Sequence, residues 1–437
     1  MLWSPLLALL LLLAALPARA EVDIQEVTSE SGIDAWLVED HSLPFVALEL
    51  RFRGGASLDA QGNRGAVNLM TSLLEEGAGD MDARAFARAR DAIAAKFSYD
   101  AGDDAVRVSA RFLTETRDEA IGLLRASLAE PRFSQTAIER VRAQVLSIIR
   151  SERKDPDDIA GDAFSELVYG DHPYGSPETG TIESVNGLTR DDIMDAHEAV
   201  FARDRVYVSA AGDITAAELS KLVDDLLGGL PDKGAPLPKE ADLTLPGGTR
   251  VVEFDTPQSA VMFGQPGIER DHPDFFAAYV LNHIVGGGGF TSRLMREVRE
   301  KRGLTYGVYS YLVNRDNADI WMGSVSSAND RVAEAIDVIR SEWARIQAEG
   351  VTAEELEDAK TYITGAYPLR FDGNSAIADI TAGMQLRGMP TEYIATRNDK
   401  MNAVTLDDVN RVARELMDPD MLTFVVVGQP KGLDATN

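Results

Sequence analysis

The chain repeats itself once, at a period of about 215 residues, and this duplication narrows the folds open to it. Three stretches carry the repeat at nearly one offset. DAVRVSARF, from Asp104, matches ADIWMGSVS, from Ala318, and both alternate apolar and polar residues as half-buried strands do. TAIERVRAQV, from Thr136, matches TAEELEDAKT, from Thr352. Each sets a Thr three residues before a Glu, the pattern of a capping box that opens a helix. LTRDDIMDAHEAV, from Leu188, matches VTLDDVNRVAREL, from Val404, and each runs into a final strand, VYVSAAG or LTFVVVG. So long a period belongs to a doubled domain, not to a solenoid of short units.

The segment PDKGAPLPKEADLTLPGG, residues 231–248, separates the copies with four prolines and three glycines. Within each copy, strands such as VALELRFRGG, from Val46, alternate as one face of an antiparallel sheet would. Helices such as Asp118 to Leu128 place Ile121, Leu124 and Leu128 on one face. The expected fold class is α+β: two duplicated domains, 21–230 and 249–437, each an antiparallel-rich sheet with helices packed on one face.

Residues 1–20 read as a signal peptide. Leu6 to Leu16 is an apolar run short for a membrane span, and Ala18-Arg19-Ala20 fits a cleavage site. An uncleaved anchor is the alternative, because MLWSP carries no Lys or Arg. No later stretch is long and apolar enough to cross a bilayer, so the mature chain is expected to be exported without membrane insertion, most simply to a periplasm. With no cysteine there is no disulfide and no thiolate zinc site. A net charge of −28 argues against nucleic acid as a partner.

Against that acidity stands Gly286 to Tyr311, GGGGFTSRLMREVREKRGLTYGVYSY. Five of the twelve residues from Thr291 to Arg302 are Arg or Lys and two are Glu. The pattern predicts a short basic helix, capped by Thr291 or Ser292, closed by Gly303 and followed by a strand. Leu294 and Val298 would face the core, and Arg293, Arg296, Arg299 and Arg302 would form an exposed stripe suited to a peptide or an anionic group. Taken alone, Arg299 is one of several surface arginines and Tyr306 a packed strand aromatic. The glycines need do no more than permit a close helix-to-strand approach.

Together with the duplication, GGGGFTSRL and REKRGLTYGVYS resemble the insulinase- or pitrilysin-type (inverzincin) metallopeptidases, in their bacterial, mitochondrial-processing-peptidase-like branch. The resemblance extends over essentially the whole mature chain. In that family a helix that follows a strand and a short loop carries HxxEH, whose two histidines hold zinc while the glutamate activates water. GNRGAVNLMTSLLEEGAG, from Gly62, occupies that place, with Val67, Met70, Leu73 and Leu74 as its apolar face. The resemblance sets Asn68 and Ser72 where the histidines belong, Thr71 where the glutamate belongs, and Ile148 where a distal glutamate ligand belongs. None of the four makes a competent zinc donor. The five histidines, His41, His172, His197, His272 and His283, include no pair at i, i+4.

The family's second-domain contribution is an Arg-Tyr pair that bonds the substrate carbonyl and stabilises the developing oxyanion; by motif match those roles fall on Arg299 and Tyr306. Gly286, Gly287, Gly288, Gly289 and Phe290 would lie along the substrate chamber. The resemblance therefore implies the non-metal-binding subunit of a heterodimeric zinc endopeptidase. It would bind no cofactor itself and would pair with an HxxEH-bearing sibling that holds zinc and acts on extended or unfolded peptides. The alternative is a catalytically inert structural or interaction subunit of an envelope complex.

Overall fold

The structure is a computed structural model and describes residues 22–433 and 435. The expected signal peptide lies outside the described residues.

Among the described residues thirteen strands fall into two principal sheets and a small ribbon. The first sheet takes β1 (Gln25–Thr28), β2 (Asp34–Glu39) and β3 (Phe45–Arg53). After the ribbon β4 (Gly77–Ala78) and β5 (Met81–Asp82) it adds β6 (Lys96–Ala101), β7 (Ala105–Leu113) and β8 (Val206–Gly212). The second sheet is β9 (Gly248–Glu253), β10 (Gln258–Pro266), β11 (Thr305–Arg315), β12 (Ala318–Ala328) and β13 (Thr423–Gly428). The spatial orders are β1-β2-β8-β3-β7-β6 and β9-β13-β10-β12-β11. Apart from β1 they are the same order, and the one parallel pair in each sheet, β2 with β8 and β9 with β13, falls at the same place. The sequence repeat is thus a repeat of topology.

Alternation sets which side of each strand is buried. Val46, Leu48, Leu50 and Phe52 of β3 are all fully buried and pack with the helices of their own half. Val261 and Phe263 of β10 and Phe424 and Val426 of β13 do the same in the second half.

The opposite face of each sheet is covered by a helix from the other half. Helix α1 (Pro156–Tyr169) lays Ala160, Phe164 and Val168 against Ala260, Ile320, Val425 and Val427. Helix α2 (Asn374–Leu386) returns the exchange. Its Ala378 packs on Ala47 and Ala211, and its Thr381 shares a 2.6 Å hydroxyl hydrogen bond with Ser209 of β8. Gly264 on β10 is required for this docking, since a Cβ there would come within 2.8 Å of the Phe164 ring. Residues 231–247 carry no helix or strand, yet they are pinned. Ala241 N–H donates to Asn317 C=O, Thr244 N–H donates to Val168 C=O, and Leu245 is buried beside α1.

The helix caps match the sequence with one correction. Thr189, Thr352 and Thr405 each form a capping box with the residue three on. The helix Gln135–Glu152, however, starts one residue before Thr136. Its N-cap is Ser134, which accepts from Ala137 N–H. Ser134 is the earlier of two competing cap residues, and it leaves Thr136 inside the first turn.

Candidate functional site

The segment around the expected metal site folds as the apolar pattern predicts. Val67, Met70, Leu73 and Leu74 are buried, and the helix Ala66–Thr71 is opened by Gly65 in a left-handed conformation. Asp59 holds that end by accepting from Gly65 N–H and Val67 N–H, each at 2.8 Å. Burial pushes its carboxyl up to about 6, against the lowering effect of those bonds and of Arg64.

The four positions in question do not converge on a cation. The Thr71 and Ser72 hydroxyls both donate back to the carbonyl of Asn68, at 2.9 and 3.0 Å, and Thr71 is buried. Ile148 is a hydrocarbon left 52% exposed. Zinc does not fit this donor set. Among the described residues no group of three or more histidines and carboxylates is placed to hold a metal ion. The histidines are otherwise engaged: His41 between Asp213 and Glu39, His172 with Lys239 C=O, His197 with Leu128 C=O, His272 with Asp274 N–H, and His283 stacked on Tyr362.

The basic helix forms where expected, although its final turns are wound as a π-helix, Met295–Glu300. Lys301 N–H reaches back five residues to Arg296 C=O. Ser292 is the N-cap, accepting from Met295 N–H at 3.4 Å. Gly303, with φ +60°, closes the end: its N–H bonds Arg299 C=O and Leu304 N–H bonds Val298 C=O. Leu294 and Val298 are buried, as their spacing requires.

The exposed arginine stripe is not what the chain builds. Arg293 is buried, 6% exposed. Its guanidinium forks onto Glu355 at 2.6 and 2.7 Å and lies 3.5 Å from Glu342. Arg296 pairs with Glu355 and Glu297, while Lys301 and Arg302 both bond Glu297. The local surplus of positive charge is neutralised by carboxylates, two of them on helices distant in sequence. Arg299 stands apart. Among the described residues its side chain has no carboxylate partner and no hydrogen bond, and its guanidinium lies over the Phe290 ring at 4.7 Å.

Tyr306 follows on β11, the edge strand of the second sheet. The pairing of β11 with β12 jumps from Thr305–Ser327 to Val308–Val325, so Tyr306 and Gly307 together face one residue in a β-bulge. Thr305 pins the bulge: its hydroxyl bonds the carbonyls of Gly307 and Ser326 and the N–H of Gly307. The bulge turns Tyr306 outward until it is 86% exposed. Nothing in the residue pattern announced either this pin or the role of Glu342; Glu355 was legible only as the capping partner of Thr352.

The glycine run serves more than one purpose. A Cβ on Gly286 would strike Ser310 on β11 at 2.4 Å, so this glycine permits the close approach of helix to strand. Gly287 and Gly288 crowd Asn282 and His283 in the same way. Gly289 takes φ +57° in open space and lifts Phe290, 64% exposed, over Arg299. The structure therefore joins Arg299 to the glycine loop through Phe290, and sets Tyr306 just past the Gly303 turn that ends the same helix.

Residues 187–363, which include this loop, helix and strand, match the family model described as peptidase M16 inactive domain. The chain is 28% identical to the "non-peptidase homolog YmxG" of Helicobacter pylori, over 90% of this chain and 91% of that protein. It is 25% identical to the "uncharacterized zinc protease YmxG" of Bacillus subtilis, over 91% and 96%. The crystal structure of a peptidase M16 inactive domain from Pseudomonas fluorescens superposes with a TM-score of 0.88 at 26% identity. It covers 94% of this chain and all of that one. The two-sheet architecture and these likenesses agree: residues 187–363 match the peptidase M16 inactive domain, and the chain as a whole is similar to proteins named as a non-peptidase homologue and as zinc proteases.

Proposed function

We propose that this chain is the non-metal-binding subunit of a heterodimeric, exported zinc endopeptidase, most simply periplasmic. An HxxEH-bearing sibling holds the zinc, and this chain contributes Arg299 and Tyr306 to the substrate carbonyl. The observation that carries the reading is the state of Arg299. Every other cation from Arg293 to Arg302 is neutralised by a carboxylate, whereas among the described residues the Arg299 guanidinium has no carboxylate partner and lies over the Phe290 ring. A free guanidinium and an outward phenol are preorganised donors for negative charge that develops on a carbonyl oxygen.

The test is reconstitution. The chain alone should show neither stoichiometric zinc nor peptide cleavage, and mixing it with the HxxEH-bearing sibling should produce activity. In the complex, R299A should lower kcat by about a hundredfold or more and Y306F by about tenfold, with assembly unchanged by size-exclusion chromatography. Full turnover in both variants would remove the pair from the reaction. The competing reading, an inert interaction subunit of an envelope complex, draws on the exposed side chains of Tyr362, which stacks on His283 beside the same loop, and of Leu369. It predicts a complex that forms without any gain in cleavage.

A further inference from the structure

A second site lies where the two halves meet. A cavity of about 250 Å³ opens beside β3 of the first sheet and the helices Phe275–Asn282, α2 and Tyr393–Ala403 of the second half. Five arginines line it, Arg51, Arg270, Arg370, Arg387 and Arg397, with a single carboxylate, Asp379. In a chain with 71 acidic and 43 basic residues, such a lining runs against the composition.

Asp379 is already committed. Arg51 donates to it, and Arg107 approaches it at 3.4 Å. Among the described residues the other four arginines have no carboxylate within ion-pair distance. Arg270 lies over the Phe275 ring at 4.3 Å and donates to the Tyr393 hydroxyl at 2.8 Å. Arg397 is buried over the Tyr367 ring at 4.2 Å and donates only to neutral oxygens, of Asn398 and Ile363. Burial pushes the Arg270 pKa below the usual arginine value, and the neighbouring Arg387 and Arg397 add repulsion. Arg370 and Arg387 stand at the exposed mouth, but Arg270 and Arg397 are drawn from water without a carboxylate, which is costly unless an anion joins them. Stacking on aromatic rings occupies the flat faces of guanidiniums and leaves their N–H edges for oxyanions. The adjoining groove, which shares Arg270 and Tyr393, carries Asp271, Asp274 and Asp408, so the arginine end is the one selective for negative charge.

We propose that this cavity binds the carboxylate or phosphate group of a small ligand, its oxygens on Arg270 and Arg387 and its apolar part against Phe275 and Tyr279. The inference does not depend on Arg299 or on a peptidase partner.

The test is calorimetric titration and thermal denaturation of the purified full chain at constant ionic strength, with citrate and inorganic phosphate as probes. Binding in the millimolar range or tighter, with a Tm rise that sodium chloride does not reproduce, is expected for at least one probe. Citrate alone identifies a carboxylate ligand and phosphate alone a phosphate ligand. R270Q should abolish the binding. R387Q alters an exposed side chain that the fold does not need, and should weaken it roughly tenfold. No binding of either probe, an equal effect of chloride, or undiminished binding by R387Q would overturn the site.

Discussion

Arg293 and Arg299 are six residues apart on one helix and meet opposite fates. Arg293 turns inward to two carboxylates, and Arg299 turns outward to a phenylalanine ring. Their letters and spacing are alike, so the sequence presents them as one stripe; what separates them is Glu342 and Glu355, which only the fold brings near. The same distance effect hid the arginine cavity, whose members are scattered from Arg51 to Arg397. Glu355 also caps its own helix, accepting from Thr352 N–H at 2.9 Å. Burial raises its pKa, but the bonds from Arg293 and Thr352 outweigh that and hold the carboxyl at about 2. Its folded pKa is thus below the unfolded value of roughly 4.3, so the stabilisation is complete above that value and is lost as pH falls toward 2. E355Q should cost about 2 kcal/mol at pH 7, since Arg293 keeps Glu342, and the gap from wild type should narrow below pH 4 in denaturant titrations. A gap independent of pH would detach Arg293 from this role.

At the scale of elements, strands and caps were legible because alternation and capping chemistry are local. The bulge at Tyr306 was not. It depends on Thr305 reaching a carbonyl of the neighbouring strand. Helix α1 shows the limit differently. Ala160, Phe164 and Val168 recur at a four-residue spacing and mark an apolar face plainly, but nothing in that spacing says which sheet the face meets. Phe164 is fully buried against the other half, so F164A should destabilise the protein by about 3–5 kcal/mol. Denaturation monitored by probes in each half should lose its common midpoint in that variant. Coincident midpoints would mean that the exchanged helices contribute little to coupling.

At the scale of the molecule, the duplication read from three short matches is realised as two sheets of one strand order. The weakness of Asn68, Thr71, Ser72 and Ile148 as zinc donors was legible from residue identity alone, and the fold turns the Thr71 and Ser72 hydroxyls back onto the Asn68 carbonyl. The exchange of α1 and α2 makes each half incomplete. Residues 22–230 expressed alone should expose the face of Ala47 and Ala211 and aggregate, and co-expression with residues 231–435 should restore solubility. A soluble, cooperatively folding first half would refute this.

The exchanged helices also bear on the order of assembly. Ala160 waits for Val427, which lies almost at the end of the chain, so the last contacts to form are among the most distant in sequence. Such a topology closes long loops late and folds slowly for its size. Until translation reaches β13, the first half has a sheet with one uncovered face and a helix with nowhere to dock. That interval, not the stability of the finished protein, is when the chain's apolar faces are most open to misassembly.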